Sequence, residues 1–242
     1  MEKIIYIITK RDSQSGDQFK ESLINEFTEE MHDLVHYLQI NTVDSGVKKA
    51  SLTRVGQEAE GQLPANPIAD GLVVVWVKSV SFHEKLETIL RKYTKTSYGY
   101  LVTESEPLEN KSLAHSPVKR TPGFDQVAFL KKPSYLEYDQ WLYNWQSLHT
   151  QVAIDTQSTV RYTQNVIVRS LTNAAPNYLA IVEEGFSEES AMFDPMVFYD
   201  AQGNKDRMSK NNRLMMESCS RFIDFQDDPT DLIAMSQYIV KK

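Results

Sequence analysis

The residues best suited to chemistry gather in the second half of the sequence. Trp141, Trp145 and His149 recur every four residues, a spacing that puts all three on one face of a helix. A neutral imidazole exchanges a proton near pH 7, which suits proton abstraction beside a carbonyl, ring closure or loss of water. His149 is therefore the candidate catalytic acid/base, and the two indoles are candidates to flank a bound ring. A histidine that closes an apolar stripe also has a structural use, as a packed or capping group that answers the dipole at a helix C-terminus. Arg161 and Tyr162 are neighbours on an apparent strand and must face opposite sides of it. Tyr162 would orient a substrate oxygen through its hydroxyl, or Arg161 would balance an enolate or carboxylate. Tyr37 occupies what reads as the same place as Tyr162 in the first half, which favours a packing role. Glu183 and Glu184 end another strand ahead of Gly185. Glu183 is a candidate to orient His149 or to act as a base, and its plainer reading is a solvated strand end.

Other chemistries find little support. His32, His36, His83 and His115 are scattered, and none forms a metal-binding spacing with a second histidine or a carboxylate. No glycine-rich phosphate loop and no G-x-S-x-G motif is present, so no metal and no cofactor is expected. Cys219 is the single cysteine, which excludes an internal disulfide. The net charge of 26 − 33 = −7 repels phosphate backbones, so nucleic acid is not an expected partner. No apolar run approaches the roughly 18 residues of a membrane span, and no export signal is read, so the expected location is the cytoplasm.

The elements that must hold these residues come in two similar sets. Lys3–Lys10 and Asp125–Lys132 are short, mostly apolar strand-like runs 122 residues apart. The helical stripe Phe19, Leu23, Phe27 recurs as Trp141, Trp145, His149 at the same offset of 122. Val35–Gln39 matches Val160–Gln164 at an offset of 125, and Asp70–Val75 matches Asn177–Val182 at 107, which puts Trp76 opposite Glu183. Further helical segments and closing strands follow in each set: Ser81–Lys95 then Tyr98–Thr103, and Glu188–Ala201 with Lys205–Ile223 then Leu232–Val240. Asp44–Asn66 reads as an exposed excursion. The order β-α-β-β-α-β, twice, predicts an α+β fold of two tandem ferredoxin-like units, residues 1–104 and 124–242, joined by a proline-bearing linker at 105–123.

The strands are nearly continuous in apolar residues, which implies burial on both faces. The helices of a unit cover one face of its sheet, so the other copy's sheet must cover the second. The two units are expected to pack sheet to sheet as a barrel within one chain, with a pocket between the sheets.

The second half resembles the EthD-type domain of the dimeric α/β-barrel superfamily. The matching stretches are Phe129–Pro133 (FLKKP), the helix from Tyr138 to His149, and Val160–Gln164 (VRYTQ). The first half keeps the layout, with Phe27 where His149 would stand. The resemblance implies a barrel closed by two such units and chemistry on hydrophobic, oxygenated or aromatic molecules. The expectation is a cofactor-independent lyase, isomerase or cyclase with a small hydrophobic molecule in the barrel, His149 as acid/base, and Trp141, Trp145, Arg161, Tyr162 and Glu183 around the substrate. A non-catalytic binding or interaction module is the alternative, and haem held by His149 is a distant third. Duplication removes the need to pair chains and leaves a homodimer open.

Overall fold

A computed structural model describes residues 1–47, 68–110, 119–225 and 230–241. Most of the expected excursion, and His115, fall outside them. The first half contributes β1 (Glu2–Thr9), β2 (Tyr37–Thr42), β3 (Gly71–Val77) and β4 (Thr96–Leu108). The second contributes β5 (Phe124–Leu130), β6 (Thr159–Ser170), β7 (Ala180–Phe186) and β8 (Asp231–Lys241). Between β1 and β2, α1 (Gly16–Ser22) runs through a π-helical turn at Leu23–Phe27 into α2 (Thr28–Met31), and α3 (His83–Tyr93) lies between β3 and β4. Between β5 and β6, α4 (Tyr138–Leu142) runs through a π-helical turn at Tyr143–His149 into α5 (Thr150–Thr156). Between β7 and β8 come α6 (Pro195–Phe198) and α7 (Lys205–Cys219).

The strands form one closed barrel in the order β1-β3-β2-β8-β5-β7-β6-β4, every neighbouring pair antiparallel. Each half therefore reads 4-1-3-2 in its own strands. The halves do not stack as two separate sheets. They join edge to edge, β2 with β8 and β4 with β6, because an unpaired edge would leave a row of backbone donors and acceptors without partners. β4 continues through Leu108, into the stretch expected to be linker, because Ser105 and Leu108 pair with Gln164 and Tyr162 on β6.

The period of two sorts each strand's side chains into two cores. Ile4, Tyr6 and Ile8 of β1 and Val73, Val75 and Val77 of β3 face outward onto Phe19, Leu23, Phe27, Leu86 and Leu90 of the helices. Ile5, Ile7, Leu72 and Val74 face inward and meet Tyr100, Val102, Val127, Phe129, Ile181 and Met235 inside the barrel. On the second half Ala128, Leu130, Tyr162, Ala180 and Val182 face out onto Trp141, Trp145, Ala153, Met215 and Phe222. Burial on both faces is what the continuous apolar runs required.

Local signals start the helices. Ser15 and Gln18 form a reciprocal capping box ahead of α1. Asn204 accepts hydrogen bonds from the backbone of Asp206 and Arg207 at the start of α7, just after Gly203, whose φ of 78° suits glycine.

Candidate functional site

The inward faces change character along the barrel. One end is apolar. At the other, where β1 and β5 begin, the inward positions carry Lys3, Tyr37, Gln39, Asn41, Glu104, Asp125, Arg161, Thr163, Asn165, Glu183 and Gln237. Register fixes this placement: Thr163 lies opposite Glu183, Asp125 opposite Gly185 and Met235, Lys3 opposite Trp76 and Val102, and Glu104 opposite Asn165.

Two carboxylates and two cations form the centre. The Arg161 guanidinium donates to Asp125 Oδ2 at 2.6 Å and lies 3.8 Å from Glu183 Oε2. Lys3 Nζ lies 3.6 Å from Glu183 Oε1, donates to Asn165 Oδ1 at 2.7 Å and pairs with Glu104. Gln39 donates to Glu183 Oε2 at 2.6 Å, and Asn165 to Oε1 at 3.2 Å. Asp125 Oδ2 accepts from Asn41 at 3.0 Å and Gln237 at 2.7 Å as well as from Arg161. Three donors thus converge on one oxygen of Asp125, and its Oδ1 is left to carry or receive a proton.

Burial and partners push the two carboxyl groups apart. Burial raises Asp125 above the usual carboxylate range, with Glu183 adding to it, and outweighs the pull of Arg161 and the donors on Oδ2. Burial also acts to raise Glu183, but Lys3, Arg161, Gln39 and Asn165 together outweigh it and hold Glu183 below its ordinary value. Carboxyl groups driven in opposite directions around a shared cation are a recurring way to keep one acid ionised and make the other a proton carrier. Thr163 supplies a further feature. Its side chain is buried in this cluster, and its Oγ1 has no hydrogen-bond partner.

The sequence-predicted residues divide between two layers. Arg161 and Glu183 are in the barrel and meet. Tyr162 points outward, as strand alternation requires when Arg161 points in. Trp141, Trp145 and His149 also lie outside, between the sheet and the helices, so they do not wall a pocket between the sheets. The indoles sit 5.5 Å apart, and Trp145 Nε1 donates to the Tyr162 hydroxyl at 3.4 Å. His149 is 4% exposed, its Nδ1 is 3.1 Å from Ser218 Oγ, and its ring lies 4.7 Å from Phe222. Burial holds the imidazole neutral, its pKa lowered to about 4. The reason is the helix direction: the stripe that buries two indoles must face the outer surface of the sheet, and His149 shares that stripe. Nor does this position fit haem, because the ring is enclosed by Phe222, Ser218 and Cys219, with no open face for a macrocycle. Among the described residues no group of three or more His, Cys, Asp or Glu side chains is arranged to hold a metal ion. Cys219 Sγ lies 4.0 Å from His149 Nδ1, but burial, with Glu184 adding, pushes the thiol up to about 12, far from a reactive thiolate.

Sequence reasoning missed Lys3, Gln39, Asn41, Glu104, Asp125, Thr163, Asn165 and Gln237. The available signal was polar residues at every second position: Gln39 and Asn41 around Ile40, and Arg161 and Thr163 around Tyr162. Two surface depressions, one beside Phe82 and Lys85 and one between Asp155 and Lys210, lie outside the barrel.

An eight-stranded antiparallel barrel with its helices outside is the dimeric α/β-barrel fold. No model of a known protein family matches the chain, and no curated protein does. Among solved structures, an anthrone oxidase-like protein superposes over 100% of this chain and 94% of its own, with a TM-score of 0.54 at 10% identity. A putative monooxygenase from Lactobacillus acidophilus NCFM covers 99% of this chain and 96% of its own, with a TM-score of 0.48 at 8% identity. One from Fusobacterium nucleatum subsp. nucleatum covers 99% and 92%, with a TM-score of 0.48 at 7% identity. The likeness to the anthrone oxidase-like protein bears on the fold alone. No helix among the described residues is long and apolar enough to cross a membrane.

Proposed function

We propose that this chain is a tandem duplication of one ferredoxin-like, EthD-type unit, and that its barrel is a cofactor-independent acid/base enzyme of the isomerase or cyclase kind. The duplication is supported by the shared 4-1-3-2 order and by a π-helical turn ending at Phe27 in one half and at His149, 122 residues later, in the other. The substrate class is a small hydrophobic compound with an enolisable carbonyl. One observation carries the chemistry: buried Asp125 and Glu183, driven apart in acidity, share Arg161. Asp125, not His149, is the proton carrier. Its ionised Oδ1 takes a proton from the carbon beside the carbonyl. The electron pair of that C–H bond forms a C=C bond as the carbonyl π pair moves onto oxygen, where Arg161, released from its ion pair as Asp125 becomes neutral, stabilises the enolate. The proton returns from Oδ1 to the same carbon, or in a β,γ-unsaturated ketone to the γ-carbon of the dienolate, and the carbonyl re-forms. Glu183 stays ionised and holds Arg161 and Lys3 in place.

The test is exchange of the α-protons of 2-tetralone in D2O, followed by NMR. The intact protein should accelerate exchange over buffer, and Asp125→Asn should lower that acceleration by about a hundredfold or more while keeping the fold by circular dichroism. Equal rates in the two proteins would remove Asp125 from the chemistry.

A second reading, a non-catalytic binding module, draws on a different observation: every charge at the centre already has a protein partner. It expects ligand uptake with no exchange above buffer.

A further inference from the structure

The charged end of the barrel makes a demand on its ligand that goes beyond proton transfer. Of the buried side-chain atoms without a hydrogen-bond partner, those of Tyr6 and Trp141 lie between sheet and helices, and that of Thr163 stands inside the charged end of the barrel. Thr163 is 3% exposed, and its Oγ1 is unpartnered. It lies two residues from Arg161 on the same inward face and directly opposite Glu183. A hydroxyl stripped of water with no partner costs stability, so its retention is explained by a partner that the protein itself does not provide.

The charge balance says what that partner is not. Asp125, Glu183, Glu104 and Glu106 face two cations, Lys3 and Arg161. Glu106 is close enough to feel Arg161, Glu104 and Lys3, and it stands with Glu104 where the cluster reaches solvent. With Asp125 protonated, three carboxylates still face two cations. Arg161 and Lys3 are each engaged by carboxylates, so neither is available to compensate a carboxylate or phosphate brought in from water.

We infer that Thr163 is a specificity residue that hydrogen-bonds an uncharged oxygen of the ligand, a phenol, enol or ketone, and that the acidic surplus around it excludes anions. This rests on the barrel being the ligand site, as proposed above.

The experiment uses methyl-labelled full-length protein, titrated at pH 7 with phenol and, separately, with benzoate. The interior methyls of Ile5, Ile7 and Met235 report binding. Phenol should shift them, and benzoate should not at ten times the concentration. Thr163→Val should weaken phenol about five- to tenfold with an unchanged melting temperature, since it removes no hydrogen bond within the protein. Thr163→Ser should bind phenol as the parent does. If neither probe moves the methyls, the barrel is not a ligand site and the functional proposal falls too. If benzoate binds as well as phenol, the charge selection alone is overturned. If Thr163→Val binds phenol like the parent, or Thr163→Ser is weakened as much as Thr163→Val, the role of Thr163 is overturned and the barrel site stands. Should Thr163→Val fail to fold, Thr163→Ala supplies the hydroxyl-free comparison, with the same weakening expected and parent-like binding overturning the role.

Discussion

The two halves of the barrel share a strand order but not a charge pattern. Strand register identifies corresponding positions. Lys3 of β1 corresponds to Asp125 of β5, Tyr37 of β2 to Arg161 of β6, Val74 of β3 to Glu183 of β7, and Gln39 to Thr163. Were the halves identical, each charge would recur with the same sign at the same end of a closed, poorly solvated space, and like charges would repel there. Joining the halves in one chain lets a lysine answer an aspartate. Asn41 and Asn165 are the corresponding position at which both halves carry the same residue, and it is neutral. The first half supplies amides and apolar wall, and the second supplies Asp125, Arg161 and Glu183. On the proposed chemistry the second half carries the reacting groups of the cluster, and the first supports them.

The harshest test of that comparison is Arg161→Met. It removes the cation shared by Asp125 and Glu183 and leaves two buried carboxylates facing each other, which typically costs about 3–5 kcal/mol. Chemical denaturation at pH 7 should show a loss of that size. The loss should shrink as the pH falls, because protonated Asp125 no longer needs the guanidinium. Asp125 is raised in the fold, so its protonated form is favoured: its contribution is fully present below the ordinary carboxylate range and is lost as pH rises through the raised value. A loss under about 1 kcal/mol would mean that Arg161 is not the hub.

His149→Phe exchanges the histidine for the residue that stands at the corresponding place, Phe27. The imidazole is neutral in the fold, with its pKa at about 4, while in the unfolded chain it protonates near 6.5. A depressed folded value means stability that is present above the unfolded pKa and drains away as pH falls from about 6.5 toward 4. On this single group the drain amounts to roughly 3 kcal/mol. The variant should lack that slope in a series of melts between pH 7 and pH 4, and should keep 2-tetralone exchange. A variant that melts with the parent's full slope would assign it to another group, and lost exchange with the fold intact would return the catalytic role to the imidazole.

The architecture was legible because it rests on short-range periodicity. Continuous apolar runs signalled strands buried on both faces, and the offset of 122 linking strand and helix in the two halves survives intact: Lys3 does correspond to Asp125, and Phe27 to His149. The site was half legible, and register explains why. The second strands correspond at an offset of 161 − 37 = 124, not 125, and a slip of one residue turns a side chain to the other face. Tyr37, which points inward, was thereby matched to Tyr162, which points outward, instead of to Arg161. A bulge between Thr159 and Arg161 means that no one offset aligns the whole strand. The third strands correspond at 185 − 76 = 109, not 107, so Glu183 answers Val74, and Trp76 answers Gly185. A slip of two preserves the face and moves the residue along the barrel. The seams β2–β8 and β4–β6 join residues more than a hundred positions apart or across the linker, and nothing local encodes which edge meets which.

The mildest test exploits the corrected correspondence. Tyr37 holds in the first half the place that Arg161 holds in the second, but its hydroxyl makes one bond, to Gln39 Oε1 at 2.9 Å, and Gln39 in turn donates to Glu183. Burial, with the nearby charge of Glu183, raises the phenol above its ordinary value, so it stays protonated and donates to Gln39. Tyr37→Phe should therefore cost about 1 kcal/mol, one hydrogen bond between neutral groups, against several for Arg161→Met. In an Arg161→Met background the loss should differ from that in the parent, because both residues bear on Glu183, and residues in one network are not additive. A double-mutant cycle by urea denaturation measures that coupling. A Tyr37→Phe loss as large as that of Arg161→Met would mean that the halves share the load equally, and the division between a charged half and a supporting half would have to be abandoned.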